Sequence, residues 1–164
     1  MSDGPSIEIR IEAQGWTSLG AAADWAKRAI AEAIRQAGAT LRPGIEISIL
    51  LSDDRHMREL NRRWRGRDAP TNVLSFPAVA GNIAAAASLG DIALAYETAA
   101  REAEDEGKRF EDHATHLLVH GFLHILGYDH RAAADAAAME GLERDILARL
   151  GIADPYVMPL ETCP

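Results

Sequence analysis

Five of the six histidines in this 164-residue chain fall between positions 113 and 130, as His113, His116, His120, His124 and His130. Residues four apart on an α-helix are separated by about 40° and about 6 Å of rise. His120 and His124 therefore project from one face and can hold one metal ion. Gly127 can end that helix in a left-handed turn, which lets the chain reverse and brings His130 back toward the same face. Three converging neutral imidazoles suit a catalytic zinc, typically held by three protein ligands at about 2.0–2.1 Å with a fourth position open to water. One Zn2+ per chain is the expectation, although three imidazoles also accept nickel, copper or iron. His116 is likewise four residues from His120 but further from the glycine turn, so it is assigned a supporting place beside the ligands. His113 and the isolated His56 are expected to be solvated.

The spacing H-x3-H-x2-G-x2-H also matches the metzincin protease pattern, except that Gly121 stands where a protease carries its glutamate general base. Without that carboxylate a peptidase loses the group that takes the proton of the attacking water. Asp129, next to His130, is expected to orient a ligand imidazole.

A second constellation lies between Arg55 and Arg67, where six arginines accompany one acidic residue, Glu59. Arg55, Arg58, Arg62 and Arg65 follow helical spacing opposite Met57 and Leu60, which lines the guanidinium groups along one face. Such forks match phosphate oxygens bidentately, so the stripe reads either as a track for a nucleic-acid backbone or as a solvated face that pairs with the acidic remainder. The formal charge of the whole chain is −8, from 17 basic and 25 acidic side chains. Resolved along the sequence, that is a +5 segment on a −13 remainder, which points to restricted rather than absent affinity for nucleic acid.

The elements that must position these residues follow from periodicity. Ile7, Ile9 and Ile11, and then Ile45, Ile47 and Ile49, alternate with polar residues as strands with one buried face do. Between them a helix runs from an N-cap at Ser18 to Gly38, with Ala22, Trp25, Ala29, Ile30 and Ala33 on its apolar side. A second helix begins near Ser52, sets Met57, Leu60 and Trp64 on its inner side, and stops at Gly66. Short strands are expected over Asn72 to Pro77 and Gly90 to Leu94, joined by an Ala/Gly-rich connection from Ala78 to Leu89. Helices follow from Tyr96 to about Gly107, about Phe110 to Leu126 and about Ala132 to Leu150. The fold class is α+β, a small mixed sheet of about four strands covered by about five helices. The whole chain, 1–164, is expected to be a single domain with a tail over about 152–164. One cysteine, Cys163, excludes an intramolecular disulfide, and no apolar stretch reaches the roughly 20 residues needed to span a bilayer. A cytoplasmic protein with no membrane partner is expected.

Three blocks, in order, resemble a known family. The run from His120 through Gly127, Tyr128 and Asp129 to His130 is similar to the HGxLHLxGYDH signature of the bacterial YbeY endoribonucleases. The block from Leu60 to Pro77 is similar to that family's LNxxxRGxDxPTxVLSFP, and Leu89-Gly90-Asp91-Ile92 to its LGDI strand. The resemblance implies a metal-dependent, single-strand-specific endoribonuclease acting in 3′-end maturation of small-subunit (16S) ribosomal RNA and in ribosome quality control. Its partners would be single-stranded or ribosomal RNA and the ribosome or its small subunit. By position it implies His120, His124 and His130 as zinc ligands and Arg65 as the basic catalytic residue, while the helical stripe independently offers Arg55, Arg58 and Arg62 as contacts to the RNA backbone. The competing readings are a divergent metzincin-like protease and a non-enzymatic assembly factor with a structural metal.

Overall fold

The computed structural model describes residues 4–78, 86–129 and 132–156. In chain order run β1 (Ser6–Ile11), a 3-10 helix (Gln14–Leu19), α1 (Ala22–Ala37), β2 (Glu46–Ser52), α2 (Asp54–Arg65), β3 (Val73–Pro77), β4 (Ser88–Ala95), α3 (Tyr96–Asp105), α4 (Phe110–Ile125) and α5 (Ala133–Arg149). The strands form one mixed sheet in the order β1-β2-β4-β3, with β2 parallel to β1 and β4 and β3 antiparallel to β4. This is the expected α+β architecture. None of the described helices is long and apolar enough to cross a membrane.

Alternation along the strands builds two cores of unequal size. Ile47, Ile49 and Leu51 of β2 join Ile30 of α1 and Leu118 and Phe122 of α4 in the larger one. Two buried tryptophans lock its helices with their indole N–H groups. Trp25 donates to Thr115 Oγ1 at 2.8 Å and Trp16 to the Ser52 carbonyl at 2.8 Å. On the other face of the sheet α2 covers a smaller cluster of Met57, Leu74, Ala93 and Ala95, with Leu50, Leu60 and Phe76 packed against it. Successive residues of β3 point to opposite faces. Val73 accordingly belongs to the larger core, and Leu74 and Phe76 to the smaller.

Four local expectations change. Ser18 lies inside the 3-10 helix, and Ala21 is the N-cap of α1. The second helix starts two residues later than expected, at Asp54, where the Asp53 carboxylate accepts the His56 N–H at 2.8 Å. Ile11 is largely exposed at the end of edge strand β1. Trp64 shares the Leu60 side of α2 as expected and packs edge-on against Phe76, but it is 63% exposed and not buried there. Helical periodicity locates an apolar face, but it does not say how far the surface beneath that face extends.

Gly90 sets the spacing at the other end of β3. Its φ is 150°, and a Cβ there would stand 2.5 Å from the Phe76 carbonyl oxygen and 3.1 Å from Pro77 Cα. Gly90→Ala should therefore lower stability by about 2 kcal/mol, or the melting midpoint by roughly 4–8 °C. Thermal unfolding followed by circular dichroism checks this, and an unchanged midpoint would refute the close approach.

Candidate active site

Helix α4 carries the histidines because its other residues leave them one side. Leu118, Phe122 and Ile125 enter the larger core. Gly121 lies against the sheet, where an added Cβ would meet Ile92 Cγ2 at 3.0 Å and Val73 Cγ2 at 3.1 Å. The position after the first histidine, where a protease needs its glutamate, thus faces the sheet and not the histidine row.

His120 and His124 are one turn apart with their Nε2 atoms 3.1 Å from each other. The other nitrogen of each ring fixes its tautomer. His124 Nδ1 donates to the Tyr128 carbonyl at 3.0 Å. A carbonyl only accepts, so this nitrogen carries the proton. The turn that delivers Tyr128 is built on Gly127, whose φ of 108° few side chains tolerate. The Gly127 and Tyr128 N–H groups donate to the carbonyls of His124 and Leu123. His120 Nδ1 lies 3.1 Å from Glu143 Oε1.

Glu143, on α5, has no exposed surface. Burial alone would raise its pKa, but the hydrogen bonds it accepts from His116 and His120 outweigh burial and hold it at about 2. An ionised carboxylate only accepts, so His120 Nδ1 is also the protonated nitrogen and Nε2 offers the lone pair. The same carboxylate takes His116 Nε2 at 2.9 Å and the Tyr156 hydroxyl at 2.9 Å to Oε2. Burial and the Glu143 charge push the Tyr156 phenol well above its usual range, so it remains a donor.

These rings fit a metal. Two nitrogens bound to one tetrahedral zinc at 2.0–2.1 Å stand about 3.3 Å apart, close to the 3.1 Å between His120 and His124 Nε2. A carboxylate on the far nitrogen of a ligand imidazole is the usual support of such a ring. Among the described residues, His116, His120 and Glu143 also form a group whose ligand atoms lie within 4.8 Å of one another and could hold a metal ion.

Arg65 reaches the same cleft from α2. Its Nη2 donates to the Ser75 carbonyl at 2.8 Å, and its guanidinium stands 5.6 Å from the centroid of the Phe76 ring. The cleft measures about 700 Å³, and Arg65, Ser75, His120, His124, Tyr128 and Asp129 are among its lining residues. Thus β3 and the turn after α4 bring together Arg65, His120, His124 and Asp129, while His116 lies one turn deeper beside Glu143. His130 lies outside the described residues. Arg55, Arg58 and Arg62 are exposed on α2 and do not line this cleft. Arg58 pairs with Asp68 at 2.7 Å, which lowers the carboxyl's pKa.

Two histidines are not solvated as expected. His113 is buried with Nε2 2.9 Å from Glu102 of α3, and His56 is half-buried with Nδ1 2.6 Å from Glu12. The sequence reading also passed over Glu143 and Tyr156. Glu143 had a signal: it interrupts the apolar stripe of Met139, Ile146 and Leu147, where only a partnered carboxylate is tolerated. Tyr156 has none, lying in the segment expected to be a tail.

A family model described as Endoribonuclease YbeY matches residues 10–151. A protein named Endoribonuclease YbeY from Methylocella silvestris is 56% identical, over 95% of this chain and 88% of its own length. Its namesake from Rhodopseudomonas palustris is 50% identical, over 93% and 81%. The solution structure of TM1509 from Thermotoga maritima shares the fold with a TM-score of 0.57 at 19% identity, over 93% of this chain and 99% of that one. With half or more of its residues identical to these relatives over nearly its whole length, the chain belongs to the YbeY endoribonuclease family.

Proposed function

We propose that the chain is a zinc-dependent, single-strand-specific endoribonuclease of the cytoplasm, acting on the 3′ end of 16S ribosomal RNA and in ribosome quality control. The observation that carries this reading is the paired Nε2 atoms of His120 and His124, 3.1 Å apart, in one cleft with Arg65. Family membership supports RNA as the substrate. His120, His124 and His130 are the proposed ligands, with Glu143 fixing the His120 tautomer and the Tyr128 carbonyl that of His124. The chemistry such an ion supplies when bound is Lewis-acid polarisation of the scissile phosphate or of the attacking oxygen. Arg65 spends one N–H on Ser75, which aims the rest of its planar fork into the cleft, where it would stabilise charge gathering on the phosphate oxygens. Asp129, on the same wall, is the proposed partner of a ligand imidazole. Gly121 offers no base and no room for one, which disfavours the protease reading.

The His116, His120 and Glu143 group makes a rival metal site, and substitutions separate the two. Metal content is measured by elemental analysis of protein purified without a histidine tag. On the proposed assignment His124→Ala abolishes zinc binding, while Glu143→Gln keeps it with affinity about 10- to 100-fold weaker. Zinc retained by His124→Ala and lost from Glu143→Gln would place the ion at the rival group.

Arg65→Ala should lower cleavage of a single-stranded RNA by about 100- to 1,000-fold while metal content stays at one ion per chain. Intact RNA with the metal-loaded parent chain would sink the nuclease reading. A 2′,3′-cyclic phosphate on the product would identify the neighbouring 2′-hydroxyl as the nucleophile.

Glu143 also predicts an acid response of the metal-free protein. Its folded pKa of about 2 lies below the unfolded 4.5, so the ionised carboxylate stabilises the fold fully above that unfolded value and loses its effect as the pH falls toward 2. Urea titrations across this window should show a shallower loss of stability in Glu143→Gln than in the parent, and equal slopes would contradict the assignment.

A further inference from the structure

The opposite side of β3 holds a second groove that the metal chemistry does not use. It measures about 440 Å³ and lies beside α2, with Leu50, Leu60, Trp64 and Phe76 as its apolar walls. Trp16 and Trp25 are buried and hydrogen-bonded, whereas Trp64 leaves 63% of its surface to solvent. The indole packs edge-on against Phe76 with ring centroids 6.5 Å apart, and the Arg63 guanidinium stands 5.9 Å from its ring. Arg65 connects the two grooves, since it lines the metal cleft and stands over Phe76, which lines this one.

We infer that Trp64, backed by Phe76 and flanked by Arg63 and Arg65, is a stacking site for an unpaired base of the RNA strand that crosses β3 into the metal cleft. The inference rests on the nuclease reading and names a subsite for its substrate. An exposed aromatic ring between guanidinium groups is the combination that binds single strands without regard to sequence, the ring taking a base and the cations the backbone. Charge divides the two roles. Arg63 stands beside the indole and Arg65 beside Phe76, while Glu8 and Asp91 line the groove beside Arg10. Those carboxylates repel phosphate and accept hydrogen bonds from base amino groups, so the base and not the backbone enters. A duplex, whose bases are already stacked, offers nothing to this ring.

The exposed indole is its own reporter, because the other two tryptophans are buried. The test titrates the His124→Ala chain, which spares the RNA, with a single-stranded RNA decamer and with the same sequence as a duplex. The single strand should quench tryptophan fluorescence and the duplex should not. Adding Trp64→Ala should weaken single-strand binding by about 5- to 150-fold, and Trp64→Tyr should restore most of it. An unchanged dissociation constant in Trp64→Ala, or binding without quenching, would give the patch to a protein surface and overturn the inference. Failure of the nuclease reading is distinguishable: the metal-loaded parent then leaves RNA intact whatever residue stands at position 64. Absence of any single-strand binding would overturn the inference, while cleavage by the metal-loaded parent decides the nuclease reading by itself.

Discussion

A carboxylate with no exposed surface is costly, by several kcal/mol for the isolated ion, unless donors converge on it. Glu143 is met by two imidazoles of α4 and by the Tyr156 hydroxyl. Apolar burial is non-directional and would let α4 settle in more than one rotation about its axis. The carboxylate removes that freedom, because turning the helix by one residue, about 100°, would carry both imidazoles away from it. The orientation of His120, and through it the pairing with His124, thus depends on a charge on another helix.

Strand β3 has the complementary part. Gly121 lets α4 approach it from one side, and α2 closes over Leu74 and Phe76 on the other. A strand only 5 residues long therefore separates two surfaces of different chemistry, a histidine-lined cleft and an aromatic groove. Arg65 touches both because α2 ends at the level of Ser75.

What the sequence disclosed followed the range of the interactions. The placement of His120 and His124 on one face was legible because helix geometry alone determines it, as was the helix-ending turn at Gly127. Arg65 stood out from its fellow arginines only through the family resemblance, since helical spacing treats Arg55, Arg58 and Arg62 alike. Glu143 interrupts an apolar stripe, but its partners lie 23 and 27 residues away, so local spacing could not say which groups would meet it. His113 was misplaced for the same reason, its partner Glu102 being on another helix. At Ser18 the capping signal was overridden by the burial of Trp16, which draws the chain into a 3-10 turn. Trp64 shows the opposite error, a local pattern extended past the end of the surface that would have buried it.

The bond from Arg65 to Ser75 has a consequence for solubility. Hydrogen bonds from Ala95 to Asn72 and from Ala78 to Leu89 fix the alternation along β3, so the Ser75 carbonyl points away from β4 toward the open edge of the sheet. Unpaired edges recruit strands from other molecules, and proteins blunt them with charged side chains. Arg65 occupies that acceptor with a cation. The residue proposed to meet phosphate is also a guard against edge-to-edge aggregation, and selection for either property would constrain the other.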